Sequence, residues 1–262
     1  MQRPVPRRAA AAMACSLLWP VASPASARAE TPSEASVEIR TVLSFRAPAE
    51  AVQRLLPAGW QVNPATTGPA QGANLTVVLT DRLITQDPDG RPRPGGSGPV
   101  VVLVVPARNP ATGAAGPVVA GGFSAQPEAA PGAYGVLVPA EVRMERTVTA
   151  GPDGTRQARE GWSIAGGGRG KRLEIRLRYL AAAPGRTALE QRVYSARNPE
   201  FFRIYRVDQG TDVLRGAAGG ADRVEEFALS AAGPQLGAQF DGSERLVAAQ
   251  SLPWYVRRVS LP

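Results

Sequence analysis

Lys171 is the only lysine of the chain, and it lies in the stretch GGGRGKRLEIRLRY, residues 166–179. A lysine amine can form a Schiff base with a carbonyl substrate if its pKa is lowered. Arg169 and Arg172 would lower the pKa of Lys171, whereas contact with water after the glycine turn would undo that effect. Lys171 is therefore a candidate catalytic amine, and the alternative, which we favour, is a solvated charge at the edge of an amphipathic strand.

Glu141 is a second candidate for chemistry, in the segment YGVLVPAEVRMER, residues 134–146. A buried glutamate facing a cavity could act as a general acid or base. The alternative is an exposed, alternating strand in which Arg143 and Glu145 pair with neighbours. We favour the exposed strand and retain Glu141 as a candidate.

A third group of residues combines arginines with aromatic side chains in YSARNPEFFRIYRVDQGTDVLRG, residues 194–216. Arg203, Tyr205 and Arg206 lie at its centre. Guanidinium groups bind carboxylates through paired hydrogen bonds and stack on aromatic rings, so this segment predicts a pocket for a planar anion. An arginine-lined wet face of a sheet explains the pattern equally well.

The residue types that are missing exclude several classes of site. The chain has no histidine, and Cys15 is its single cysteine. Catalytic triads that use histidine, and histidine- or cysteine-ligated zinc and iron sites, are therefore excluded. The acidic, glycine-rich stretch DPDGRPRPGG, residues 87–96, is typical of a turn. We expect no metal and no cofactor.

Residues 1–29 have the pattern of an export signal. Three arginines precede a short apolar run, and the run ends in the small residues of a cleavage site at Ala29. Removing this segment takes away Cys15, four arginines and no acidic residue, so the formal charge falls from +8 to +4. We expect an exported chain, periplasmic or extracellular, with residues 30–262 as one domain that neither binds nucleic acid nor spans a membrane stably.

The elements that must position these residues are mostly strands. Short runs rich in Val, Ile, Leu and Thr end at Pro, Gly, Asn or Asp. In RLEIRLRYL the alternation puts Leu173, Ile175, Leu177 and Tyr179 on one face, which predicts a strand with one buried side. The segment APAEAVQRLLPAGW predicts a short helix. The apolar residues of FFRIYRVDQGTDVLRGA fit the period of a helix or that of a strand, and the aromatic and β-branched content favours a strand.

The order of these features resembles the acetoacetate decarboxylase superfamily over roughly Ser36 to Pro262. The resemblance rests on LLPAGW, on VVAGGFSAQPEAAPGAYGVLVPAEV, on the turn AGPDGT, on YSARNPEFFRIYRV and on the terminal ERLVAAQSLPWYVRRVSLP. It implies a mainly β fold: a single closed antiparallel β-barrel, or β-cone, with an internal cavity and one or two short helices. It also implies a cavity lysine that forms a Schiff base with a β-keto acid.

The chain departs from this family at the lysine. The corresponding segment, residues 126–141, contains no lysine, and Tyr134 falls near the expected position. The carboxylates that support the amine in the family should lie in residues 73–90, where Asp81, Asp87 and Asp89 form no recognisable motif. The resemblance therefore implies the fold and the cavity without the nucleophile.

Three hypotheses remain open. The first is an exported protein that binds a small keto or carboxylic acid without Schiff-base catalysis, with Tyr134, Glu141 and Tyr205 at the ligand and Arg203 or Arg206 holding its anionic group. The second is an active lyase, a decarboxylase or hydratase of a β-keto or related acid, that uses Lys171 or a carboxylate and tyrosine pair. The third is a cell-envelope structural or interaction domain with a fully packed interior. The oligomeric state stays open.

Overall fold

The protein is described from a computed structural model, which covers residues 30–128, 132–166, 168, 170–217, 220 and 222–262. The predicted export signal, residues 1–29, lies outside these described residues, and its cleavage stays a prediction. No helix in the described part of the chain is long and apolar enough to cross a membrane.

The described chain is mainly β, as predicted, with twelve strands, two short α-helices and one 3₁₀ turn at Gly132–Tyr134. The strands are β1 Thr31–Arg46, β2 Gln61–Val62, β3 Leu75–Gln86, β4 Gly98–Arg108, β5 Ala115–Ser124, β6 Leu137–Ala150, β7 Arg156–Gly166, β8 Arg172–Ala181, β9 Gly185–Ser195, β10 Phe202–Arg215, β11 Val224–Ala232 and β12 Arg245–Leu261. The helices are α1 Ala49–Gln53 and α2 Pro234–Gln239. The predicted helix after Pro48 is confirmed as α1, and the ambiguous aromatic segment is confirmed as β10.

Seven of these strands pair in a ring. The pairings run from β5 through β9, β10, β12, β1, β3 and β4, and β4 pairs again with β5. All but one of the ring contacts are antiparallel; the exception joins β5 and β9 in parallel through Val118 and Val119. Side chains alternate between the two faces of each strand, so every ring strand presents one set of residues inward and another outward.

A second sheet branches from β5. The end of β5, Gly122 to Ser124, pairs in parallel with the start of β6, and β7, β8 and β11 follow in antiparallel order. The prediction of an antiparallel sheet is thus right for most contacts and wrong for the two on this side of β5. Here β5 pairs first with β9, through Val118 and Val119, and then with β6, through Gly122 to Ser124.

Two apolar clusters follow from the alternation. In the first, outward residues of the ring such as Leu43 and Val77 pack with Trp162, Ile175 and other residues of the second sheet. The buried face predicted for β8 is confirmed here. The second cluster lies inside the ring and includes Val102, Val193 and Leu252. The second sheet therefore covers one side of the ring, and the ring keeps its own interior.

Glu160 of β7 joins the second sheet to the ring. Its buried carboxylate accepts hydrogen bonds from Thr41 Oγ1 of β1 at 2.8 and 2.9 Å, from Trp162 Nε1 at 3.2 Å and from Tyr179 Oη at 3.0 Å. Arg146 of β6 supplies the counter-charge at 3.1 Å. Since a buried carboxylate is tolerated only when it is paired and hydrogen-bonded, this cluster fixes how the two sheets meet.

Candidate ligand-binding site

A cavity of about 500 Å³ lies inside the ring, and all seven ring strands contribute side chains to its wall. This volume falls in the range of about 300–1,000 Å³ that is usual for small-molecule sites. The hypothesis of a fully packed interior does not fit a cavity of this size.

Charged side chains gather at one end of the cavity. Glu38 and Arg40 come from the first half of β1, Arg82 from the end of β3 and Arg257 from the end of β12. Because β3 and β12 both run antiparallel to β1, the end of each lies beside the start of β1. Three guanidinium groups and one carboxylate therefore share this end of the cavity, which we call the charged end.

An alternating chain of ions extends the charged end into the protein. Arg257 Nη2 donates to Glu34 Oε1 at 3.1 Å and lies 3.3 Å from Glu38 Oε1. Arg203 donates to both oxygens of Glu34 at 3.2 Å, and Arg40 Nε donates to Glu38 Oε2 at 2.6 Å. The order is thus Arg203, Glu34, Arg257, Glu38 and Arg40, with positive charge at both ends.

The electrostatic environment keeps these groups ionised. Burial alone would raise the pKa of Glu38, but Arg40, Arg257 and the Ser36 hydroxyl lower it to about 2. Burial would likewise lower the pKa of Arg257, whereas Tyr205, Glu38 and Glu34 raise it well above its ordinary value. Burial lowers the pKa of Arg82, although an arginine remains protonated at neutral pH. The charged end therefore carries excess positive charge.

Two tyrosines stand beside these ions. The Tyr134 hydroxyl donates to the Tyr205 hydroxyl at 2.7 Å, and the Arg257 guanidinium lies 4.6 Å from the centre of the Tyr205 ring. Burial and the neighbouring Tyr205 raise the pKa of Tyr134 well above its ordinary value. Ser195 Oγ donates a hydrogen bond to the backbone carbonyl of Tyr134 at 2.7 Å, and this bond fixes the 3₁₀ turn against the ring. Because Tyr134 gives its proton to Tyr205, the Tyr205 hydroxyl proton is left for a hydrogen bond to a ligand oxygen.

The remainder of the wall is largely aliphatic, and it also contains six uncharged polar side chains, Asn63, Thr76, Thr80, Gln191, Gln209 and Gln250. Each of the strands β1, β3, β4, β5, β9 and β12 adds Val or Leu side chains; they are Val42, Val78, Val100, Val102, Val104, Val119, Leu189, Val193 and Leu252. The site thus combines a cationic, hydroxyl-bearing end with an apolar body. This combination suits an organic acid.

The structure brings some of the predicted site residues together. Tyr134 and Tyr205 both line the cavity. Arg203 is buried on the same strand as Tyr205, but it belongs to the ion chain and lies outside the cavity wall. Its Nε is buried without a hydrogen-bond partner among the described residues. Arg203 therefore holds Glu34 and not a ligand in the cavity.

Three other predicted residues lie outside the cavity. Glu141 is on the exposed face of β6 and pairs with Arg143, because the strand alternation turns its neighbours Ala140 and Val142 inward. Arg206 follows Tyr205 by one residue, so it points outward, where it binds Glu30 at 2.6 Å. Lys171 lies in the turn before β8 and is partly exposed.

The residues that form the charged end were missed in the sequence. In SVEIRTV, Glu38 and Arg40 alternate with Val37 and Ile39, and such a pattern usually places the charges in water. Here the charged face points into the ring, because β1 is one of the seven ring strands and its other face packs against the second sheet. The segment WYVRRVSLP, which contains Arg257, likewise has the pattern of an exposed strand. Among the described residues, no group of three or more acidic, histidine or cysteine side chains could hold a metal ion.

Comparisons with known proteins give structural relatives only. No protein-family model matches the chain, and no curated protein matches its sequence. The enduracididine biosynthesis enzyme MppR complexed with pyruvate has a TM-score of 0.52 at 15% identity, covering 90% of this chain and 91% of that chain. An acetoacetate decarboxylase-like enzyme from Sphingomonas wittichii RW1 has a TM-score of 0.52 at 14% identity, covering 95% and 99%.

These likenesses extend over nearly the whole of each chain, and they agree with the resemblance carried by the sequence segments from LLPAGW to the terminal strand. At such low identity they concern the arrangement of the backbone. The chain therefore has the fold of the acetoacetate decarboxylase-like enzymes.

Proposed function

We propose that this protein is exported and binds a small keto or carboxylic acid inside its ring of strands, which we take to be a closed barrel. The ligand's carboxylate lies at the charged end, and no Schiff base forms. The observation that carries the proposal is the placement of Arg40, Arg82 and Arg257 around Glu38, the one carboxylate among the described residues of the cavity wall.

Charge balance supports an anionic ligand. The ion chain neutralises Glu34 and Glu38 internally and still leaves more guanidinium groups than carboxylates. Within the described residues, Arg257 uses Nε on Ser36 and Nη2 on Glu34, and its Nη1 makes no protein hydrogen bond. A carboxylate at this place would gain charge-assisted hydrogen bonds, each worth about 1.5–3 kcal/mol.

A keto group has a partner beside the arginines. Since Tyr134 donates to Tyr205, the proton of the Tyr205 hydroxyl is available to a ligand carbonyl. The structural neighbour MppR is described in complex with pyruvate, a keto acid. By analogy of fold, a keto acid is a suitable ligand class for this cavity as well.

The absence of an amine supports binding without imine chemistry. Lys171 is the only lysine of the sequence, and it lies outside the cavity wall. Tyr134, near the position that the resemblance gives to the family lysine, is a protonated phenol and cannot form an imine. Among the described residues of the cavity wall, covalent catalysis of the family type therefore has no amine nucleophile.

A second candidate function, decarboxylation without an imine, is favoured by the tyrosine pair next to Arg257. In a β-keto acid the bond to the carboxylate would break, carbon dioxide would leave, and the electron pair would form an enolate. The enolate oxygen would accept a hydrogen bond from Tyr205, and its carbon would take a proton from water. Carbon dioxide release from acetoacetate above the rate in buffer would support this function.

Thermal unfolding with a panel of acids tests the proposal. We expect pyruvate, acetoacetate, 2-oxobutanoate and butanoate at millimolar concentration to raise the melting temperature, because ligands that bind only the folded state stabilise it. Butanol and butanamide are uncharged controls of similar size and should raise it less. If no acid raises the melting temperature more than its uncharged control, the proposal fails.

A further inference from the structure

We infer that the cavity selects acids with a long aliphatic body, of about six to ten carbons, over three-carbon acids such as pyruvate. This inference rests on the proposed function, because it assigns the ligand's carboxylate to the charged end. The inference adds the chemical nature of the rest of the ligand, an aliphatic chain.

The first support is the order of side chains along the strands. On β1 the inward residues change from Glu38 and Arg40 to Val42, and on β3 they change from Arg82 through Thr80 to Val78 and Thr76. The register pairs Glu38 with Arg82, Arg40 with Thr80 and Val42 with Val78, so at the level of Val42 both strands present an aliphatic side chain. A ligand anchored by its carboxylate would therefore extend between walls that are largely aliphatic, with Gln250 beside Val42 as a polar neighbour.

The second support is the chemistry of the opposite walls. On β4, Val100, Val102 and Val104 follow one another on the inward face, and Val119 of β5 pairs with Val104. Among the described residues, the only aromatic side chains of the cavity wall are Tyr134, Tyr205 and Tyr255 near the arginines, so a planar ring would find no stacking partner elsewhere along this wall. These walls suit a flexible or branched alkyl chain.

The third support is size. At about 30 Å³ for each water molecule of the liquid, a cavity of about 500 Å³ corresponds to about 17 waters. Pyruvate has six non-hydrogen atoms and would leave most of the valine surface uncovered. An acid of six to ten carbons would cover it, and each buried methylene contributes about 0.8 kcal/mol, or about fourfold in affinity.

Calorimetric titration with a homologous series of 2-oxo acids, from three to twelve carbons, tests this inference. We expect Kd to fall about fourfold for each added methylene up to a limit between six and ten carbons, and to rise beyond it. A Kd that changes less than twofold between three and ten carbons would overturn the inference, yet binding of pyruvate would leave the proposed function intact. If none of the acids binds, the proposed function itself fails.

A matched pair of variants locates the alkyl chain. Val102→Trp fills the middle of the cavity and should weaken binding of the eight-carbon acid at least tenfold, so that its advantage over pyruvate shrinks. Val148→Trp makes the same change on the exposed face of β6, where Val148 is 48% exposed, and should leave the whole series unchanged. Melting temperatures of both variants show whether they fold. Equal binding by the folded Val102→Trp variant and wild type would contradict the inference.

Discussion

Glu34 lies between Arg203 and Arg257 and accepts hydrogen bonds from both guanidinium groups at 3.1 to 3.2 Å. All three side chains are buried. Arg203 and Arg257 come from β10 and β12, two neighbouring strands of the ring, and Glu34 comes from β1, which pairs with β12 on its other side. Glu34 therefore holds in place the arginine, Arg257, that reaches the cavity.

Replacing Glu34 should destabilise the fold strongly. Glu34→Gln leaves two buried arginines with one counter-charge fewer, and breaking a buried ion pair from one side typically costs about 3–5 kcal/mol. Urea unfolding at pH 7 measures this loss. Glu141→Gln removes a solvent-exposed partner of Arg143 and should change stability by less than about 1 kcal/mol. Similar losses in the two variants would contradict the role given to Glu34.

Acid should weaken the fold through Glu38. The pKa of Glu38 is about 2 in the folded chain, against an ordinary value of 4.5. Its ionisation therefore contributes stability that is fully present above pH 4.5 and is lost as the pH falls towards 2, on the order of 3 kcal/mol. The Glu38→Gln variant lacks this pH-dependent contribution to stability, because glutamine does not ionise. The stability difference between wild type and this variant, from urea unfolding at pH 7, 5, 4 and 3, should shrink as the pH falls; a constant difference would refute the assignment.

Two tyrosine variants should separate stability from binding. Tyr134→Phe removes the hydrogen bond to Tyr205, and Tyr179→Phe removes the hydrogen bonds to Glu160 and Ser251. Each should cost about 1–3 kcal/mol, because buried polar groups lose a partner. Only Tyr134→Phe should also weaken the binding of 2-oxohexanoate, with a Kd about tenfold higher in a calorimetric titration. A comparable loss of affinity in Tyr179→Phe would argue against the tyrosine pair as part of the site.

Lys171 should not form an adduct with a keto acid. Intact-mass measurement after borohydride reduction with acetoacetate should show the unmodified protein, and Lys171→Arg should bind acids as wild type does. The reason is its position in the turn before β8, outside the cavity wall. An adduct that disappears in Lys171→Arg would restore the Schiff-base hypothesis.

The sequence predicts the mainly β fold because strand alternation and turn residues are local signals. The buried face of β8, with Leu173 and Ile175, and the strand at Phe202 both follow from such signals, and the family resemblance supplied the cavity. Local pattern does not tell whether the charged face of a strand meets water or the inside of a ring, since that depends on strands far apart in the chain. For this reason Arg257 and Glu38 were missed, and Arg206 was placed in the site although the neighbouring Tyr205 takes the inward position.

Calorimetric titration of 2-oxohexanoate into wild type, Arg257→Met and Arg206→Met tests the central claim most directly. Arg257 lines the charged end, whereas Arg206 lies on the same ring but points outward. We predict one binding site in wild type and Arg206→Met, and at least tenfold weaker binding in Arg257→Met, with melting curves to confirm that the variants are folded. Equal affinity in a folded Arg257→Met variant and wild type would contradict the claim that the cavity arginines hold the acid.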